Sequence, residues 1–150
     1  AHHYFGGKGQ LFDATMRHLL VQLGTASAIS QRKTATPESR LSAIFEISFS
    51  SKQFAKSTIA AWLIFYVRAM NSAEAARLLR IYTRRLHSNL VYALGHVVSR
   101  PDAIRIAEAV AALIDGLWFR TALGATPLDA RSSIETAGNY LRAELARCER

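Results

Sequence analysis

The chain has 150 residues, half of them hydrophobic and one fifth charged, with three prolines and eight glycines. That composition suits a single domain with a sizeable core and is too apolar for intrinsic disorder. The lone cysteine, Cys148, excludes an internal disulfide and a cysteine-cluster metal site. Nineteen Lys and Arg against eleven Asp and Glu leave a formal net charge of +8. Such a balance points to an anionic partner, nucleic acid first, with a solvated basic surface as the plain alternative.

No apolar run approaches the roughly 20 residues that a membrane-spanning helix needs. The longest is Ile59 to Val67, and Ala109 to Leu123 is interrupted by Asp115 and Arg120. No basic segment precedes an apolar stretch, so a secretory signal is not expected. The chain opens at Ala1, and its first residues read as the inside of a structured element. A fragment of a longer protein is therefore expected.

The periodicity is helical almost throughout. Phe12, Met16, Leu19, Leu20 and Leu23 recur at spacings of three and four. Thr36-Pro37-Glu38 has the form of a helix start, with a capping hydroxyl, proline in the first turn and then an acid. Leu41, Ile44, Phe45 and Phe49 continue it as an apolar stripe. A third helix is predicted from about Phe54 to Met70. Its face of Ile59, Trp62, Leu63, Tyr66 and Met70 is extended by Ile64, Phe65 and Val67 until it is apolar nearly all round. Such a helix is buried on several sides. The fourth helix carries Ala75, Leu79, Tyr82, Leu86, Leu90, Ala93 and Val97 on one face, and Arg77, Arg80, Arg84 and His87 on the other. Pro101-Asp102 opens a fifth, predicted to end at Gly124 and Pro127, and Asp129 caps a last one carrying Ile134, Ala137, Leu141 and Leu145. No strand-like alternation or internal repeat competes. The expected architecture is all-α, a bundle of about six helices.

The fifth helix is apolar on two sides: Ala107, Ala111, Ala112 and Phe119 on one, Ile106, Val110, Leu113 and Leu117 on the other. One side would face its own core and the other a second subunit, with the last helix sharing the seam through Leu141. A central helix in a monomer is the alternative.

Catalytic or metal chemistry finds no assembled set of groups. His2 and His3 are adjacent and diverge on a helix, while His18, His87 and His96 have no partner at i+3 or i+4. Gly6-Gly7-Lys8-Gly9 lacks the ending and the preceding strand of a phosphate loop. No enzyme activity, metal or cofactor is expected. Two features stand out instead. Asp115 lies within a strongly apolar segment, and a buried carboxylate is costly unless paired. It is either a structural partner of Arg84, Arg85, Asn89 or a Trp indole, or a carboxylate lining a ligand cavity. The second feature is the aromatic set Trp62, Phe65, Tyr66, Tyr82, Tyr92, Trp118 and Phe119. Trp62 and Tyr66 share a helix face, as do Asp115 and Trp118. Ring faces beside one carboxylate suit a quaternary ammonium, with core packing as the alternative.

His3-Tyr4-Phe5-Gly6-Gly7-Lys8-Gly9-Gln10-Leu11 resembles the end of the helix-turn-helix in TetR-family repressors, where a recognition helix stops at Phe and a Lys-containing stretch opens the next helix. The body resembles one branch, the choline-responsive repressors of glycine betaine synthesis. The stretches that carry this are Phe12-Asp13-Ala14-Thr15-Met16-Arg17, Ala61-Trp62-Leu63-Ile64-Phe65, Arg84-Arg85-Leu86-His87-Ser88-Asn89-Leu90, Ala112-Leu113-Ile114-Asp115-Gly116-Leu117-Trp118-Phe119-Arg120 and Pro127-Leu128-Asp129. The resemblance implies that residues 1–8 are the remnant of a DNA-binding domain and that residues 9–150 form the ligand-binding and dimerisation domain. His2, His3, Tyr4 and Lys8 would be DNA contacts, with Lys8 at a helix N-terminus meeting phosphate. Trp62, Phe65, Tyr66, Trp118 and Asp115 would line a choline site between the third, fourth and fifth helices. Ala107, Ala111, Phe119 and Leu141 would lie in a homodimer seam. The implied protein is cytoplasmic, and its partners are operator DNA, a small effector such as choline, and a second copy. A helical binding or scaffold module without a DNA role, or a sensor of another cationic or lipophilic ligand, stands as the alternative.

Overall fold

A computed structural model of the protein describes residues 2–124 and 129–149, with side chains from Gly7 onward. It holds α1 (His2–Arg32), α2 (Pro37–Ser48), a 3-10 turn (Ser51–Phe54), α3 (Lys56–Ala69), α4 (Ala73–Leu94), α5 (Arg100–Ala122) and α6 (Ala130–Cys148). There is no strand among the described residues, and none of their helices is long and apolar enough to cross a membrane.

Short polar side chains start most of these helices. At α2 the Thr36 hydroxyl accepts from Ser39 N while Ser39 Oγ accepts from Thr36 N, each at 3.1 Å. This is a capping box, and Pro37 follows with its fixed φ and no N–H to leave unsatisfied. Ser72, Ser99 and Asp129 cap α4, α5 and α6 by accepting from the backbone N–H three residues on. No side-chain cap starts α3; the 3-10 turn leads into it, so it begins at Lys56 rather than Phe54. Gly124, with φ +63°, closes the turn after α5. Pro127, the other stop signal, is outside the described residues.

α1 departs from the expected pattern. It runs without a break through Gly6-Gly7-Lys8-Gly9, where the resemblance implies the end of one helix and the start of another. No glycine there has positive φ, so the backbone stays helical at about 1 kcal/mol per glycine relative to alanine. Lys8 therefore sits within a helix, not at a helix N-terminus. The side chains of His2, His3 and Tyr4 lie outside the described residues.

α5 is the central element. Ala103, Ile106, Ala107, Val110, Ile114, Leu117 and Trp118 are buried along it, and it packs between α4 and α6. Ala107 is fully enclosed and Leu141 is 6% exposed within the single chain. Their apolar surface is taken up by α5 packing on α6, which leaves neither residue free to face a second subunit. Ala111 and Phe119 are only partly buried. α4 presents Ala75, Leu78, Leu90, Ala93 and Leu94 to the core. It ends at Leu94, and Val97 in the following turn is exposed.

α1 is fastened to the bundle by charge. Arg68 on α3 donates to both carboxylate oxygens of Asp13, at 3.0 and 2.9 Å, and to the Gly9 carbonyl at 3.3 Å. A Cβ on Gly9 would lie 3.1 Å from the Arg68 guanidinium, which glycine avoids. The guanidinium also lies 5.7 Å from the Phe12 ring centroid.

Candidate ligand cavity

A cavity of about 290 Å³ opens between α1, α2, α3, α4 and α5. This is near the lower end of the roughly 300–1,000 Å³ usual for small-molecule sites. It reaches further than the third, fourth and fifth helices: Leu20, Val21 and Gly24 of α1 and Ile44 and Ile47 of α2 also line it. Of the five side chains expected there, Trp62, Tyr66, Asp115 and Trp118 line it. Phe65 does not. It is fully buried in the core, edge-on to Trp62 at 6.0 Å between ring centroids. Adjacent helical residues diverge by about 100°, so Tyr66 facing the cavity turns Phe65 away from it.

Tyr82 takes the place that Phe65 vacates. Its ring centroid is 5.1 Å from that of Trp62, which is 5.9 Å from Tyr66 and 6.5 Å from Trp118. Trp62 is thus the hub of four rings contributed by three helices. Phe119 supports them from behind, against Tyr66 at 5.3 Å and Trp118 at 5.2 Å. The Trp118 indole N–H donates to the Gln53 carbonyl at 3.1 Å, which fixes the ring and ties α5 to the 3-10 turn. The helical period of α4 places Tyr82 on its core-facing side, but a core tyrosine and a cavity tyrosine look alike in sequence.

Asp115 stands beside this cage. No hydrogen bond or ion pair to it occurs among the described residues. The structural partners expected for it are engaged elsewhere or unlinked: the Trp118 N–H is used on Gln53, and Arg84 and Arg85 form no ion pair with it. Burial pushes its carboxyl up to about 6. Burial also raises the Tyr66 and Tyr82 phenols, and the neighbouring Asp115 carboxylate raises them further, so both remain protonated. Four aromatic rings and one carboxylate without a partner thus line the same cavity, chemistry that attracts a poorly hydrated cation. No group of three or more His, Cys, Asp or Glu that could hold a metal occurs among the described residues.

Three arginines also line the cavity. Arg17 and Arg77 share Glu74, at 2.6 and 3.8 Å. Arg85, further along α4, also lines the cavity.

The bundle has the fold of the TetR class of regulators. It matches a TetR transcription regulator from Haloarcula marismortui with a TM-score of 0.79 at 19% identity, over 95% of this chain and 81% of that one. It also matches a putative transcriptional regulator from Saccharomonospora viridis, solved in complex with choline, with a TM-score of 0.81 at 16% identity over 94% and 76%. Within that class the chain belongs to the BetI-type transcriptional repressors: residues 37–146 match the C-terminal part of that family. The HTH-type transcriptional regulator BetI of Brucella abortus is 53% identical over 146 residues, which is 97% of this chain and 74% of the relative.

Proposed function

We propose that this repressor senses choline and that its cavity is the choline site. The observation that carries the reading is Asp115, a carboxylate left without a partner beside the ring faces of Trp62, Tyr66, Tyr82 and Trp118. A quaternary ammonium has no N–H to donate, so ring faces and a counter-charge are the groups that hold it. The choline complex of the Saccharomonospora viridis regulator supports the reading, since that protein shares the fold.

In this reading the protein acts as a homodimer and controls genes of glycine betaine synthesis. Ligand favours a conformation in which paired DNA readers no longer match the spacing of the operator half-sites. Residues 1–8, with His2, His3, Tyr4 and Lys8, belong to the DNA-reading end, and residues 9–150 bind ligand and dimerise through α5 and α6. Ala111 and Phe119, both partly exposed on α5, are the seam residues that remain available. α1 links the two functions, because it lines the cavity with Leu20, Val21 and Gly24 and its other end carries Lys8.

Calorimetric titration of the folded chain with choline is the test. Saturable binding supports the reading, and no heat of binding at millimolar choline refutes it.

A further inference from the structure

We infer that the cavity is built for a ligand charged at both ends, with a quaternary ammonium in the aromatic cage and a carboxylate on Arg85. This rests on the ammonium reading of the cage and extends it from a simple cation to a zwitterion.

Two ionised side chains line the cavity without a partner among the described residues, Asp115 and Arg85. Arg17 and Arg77, the other cations of the lining, are both held by Glu74. Asp115 and Arg85 form no ion pair with each other although they line the same space. The cavity lining therefore holds two opposite charges that are not paired with each other. A simple cation would satisfy Asp115 alone and would bind in the repulsive field of Arg85. A zwitterion satisfies both.

Arg85 and Tyr82 both line the cavity from α4. Arg85 follows Tyr82 by three residues on the cavity side of the helix, a rise of about 4.5 Å from the cage. Its head is held toward α1: a Cβ on Gly24 would lie 2.6 Å from Arg85 Nη1. Glycine at that position lets the guanidinium rest against the α1 backbone across the cavity. Arg85 is exposed, so its donors are open to an entering ligand. Its planar fork matches a carboxylate in a way that a hydroxyl cannot reproduce.

The experiment is calorimetry on the whole chain with choline and with trimethylglycine, for wild type, Arg85→Gln and Arg85→Glu. Both variants alter an exposed side chain, and their thermal melts check that the fold survives. The wild type is expected to bind trimethylglycine at least as tightly as choline. Arg85→Gln should weaken trimethylglycine about tenfold or more and leave choline within about threefold, since one charge-assisted pair is removed. Arg85→Glu should abolish trimethylglycine binding and tighten choline. Wild type that binds choline but not trimethylglycine would overturn the inference while leaving the choline reading intact. Equal weakening of both ligands by Arg85→Gln would also overturn it. Wild type that binds neither would overturn the ammonium reading itself.

Discussion

Replacing Asp115 with Asn should move stability and ligand affinity in opposite directions. Burial raises the Asp115 carboxyl from its ordinary 3.8 to about 6. The shift is about two units, and at about 1.4 kcal/mol per unit the ionised carboxylate costs up to about 3 kcal/mol at neutral pH. Residual exposure screens part of this, so about 1–3 kcal/mol is the working range. Because the folded-state value is the raised one, the folded protein binds the extra proton between about pH 4 and 6. Asp115 therefore costs nothing below pH 4, and its penalty grows as pH rises through 6. Asp115→Asn should be more stable than wild type at pH 7 by that amount and nearly equal to it at pH 4. Urea unfolding at the two pH values measures the difference. Choline requires the ionised form, so wild-type affinity should fall about tenfold per unit as pH drops below 6, whereas Asp115→Asn should bind weakly at every pH. A variant less stable than wild type at pH 7 would show that Asp115 holds a structural partner, and the reasoning would fail.

The other expectations concern the cage, the α1 fastening and the seam. Tyr82→Leu should weaken choline by about 0.5–2 kcal/mol, the contribution of one ring face, while Arg80→Ala on the exposed side of α4 should leave the calorimetric affinity unchanged. Arg68→Met leaves the Asp13 carboxylate, 12% exposed, without its partner and should cost about 1–3 kcal/mol in urea unfolding. Adding Asp13→Leu should recover part of that loss, and a double variant as unstable as the sum of the singles would show that the two residues do not act as a pair. Ala111→Arg should convert a dimer to a folded monomer in light scattering; a wild type that is already monomeric at tens of micromolar would remove the seam.

Three helix starts were legible in the sequence because capping is local chemistry. Thr36-Pro37-Glu38, Pro101-Asp102 and Asp129 carry their signals within a few residues, although the cap of α5 is Ser99, two residues before Pro101. The start of α3 was not legible, because it relies on the preceding 3-10 turn rather than on a side chain. The continuity of α1 was hidden by three glycines that the helix simply accommodates. The family was legible from stretches spread along the whole chain, and the match over residues 37–146 agrees with it.

The sequence alone determined the all-helical class and the presence of aromatic rings and one apolar-embedded carboxylate, since periodicity and composition are properties of the chain itself. Tertiary packing decided what those groups do. The all-round apolar surface of α3 does not say whether Phe65 or Tyr66 faces a cavity; the crossing with α4 and α5 turns Tyr66 inward and brings Tyr82 beside Trp62. Ala107 of α5 and Leu141 of α6 read as a seam between subunits, but the packing within one chain buries both. Whether Asp115 is paired depends on where arginines of another helix come to rest, and Arg85 rests against Gly24 of α1. These outcomes are set by contacts between residues far apart in the chain, Trp62 with Tyr82 and Arg85 with Gly24 among them, which leave no local trace in the order of the side chains.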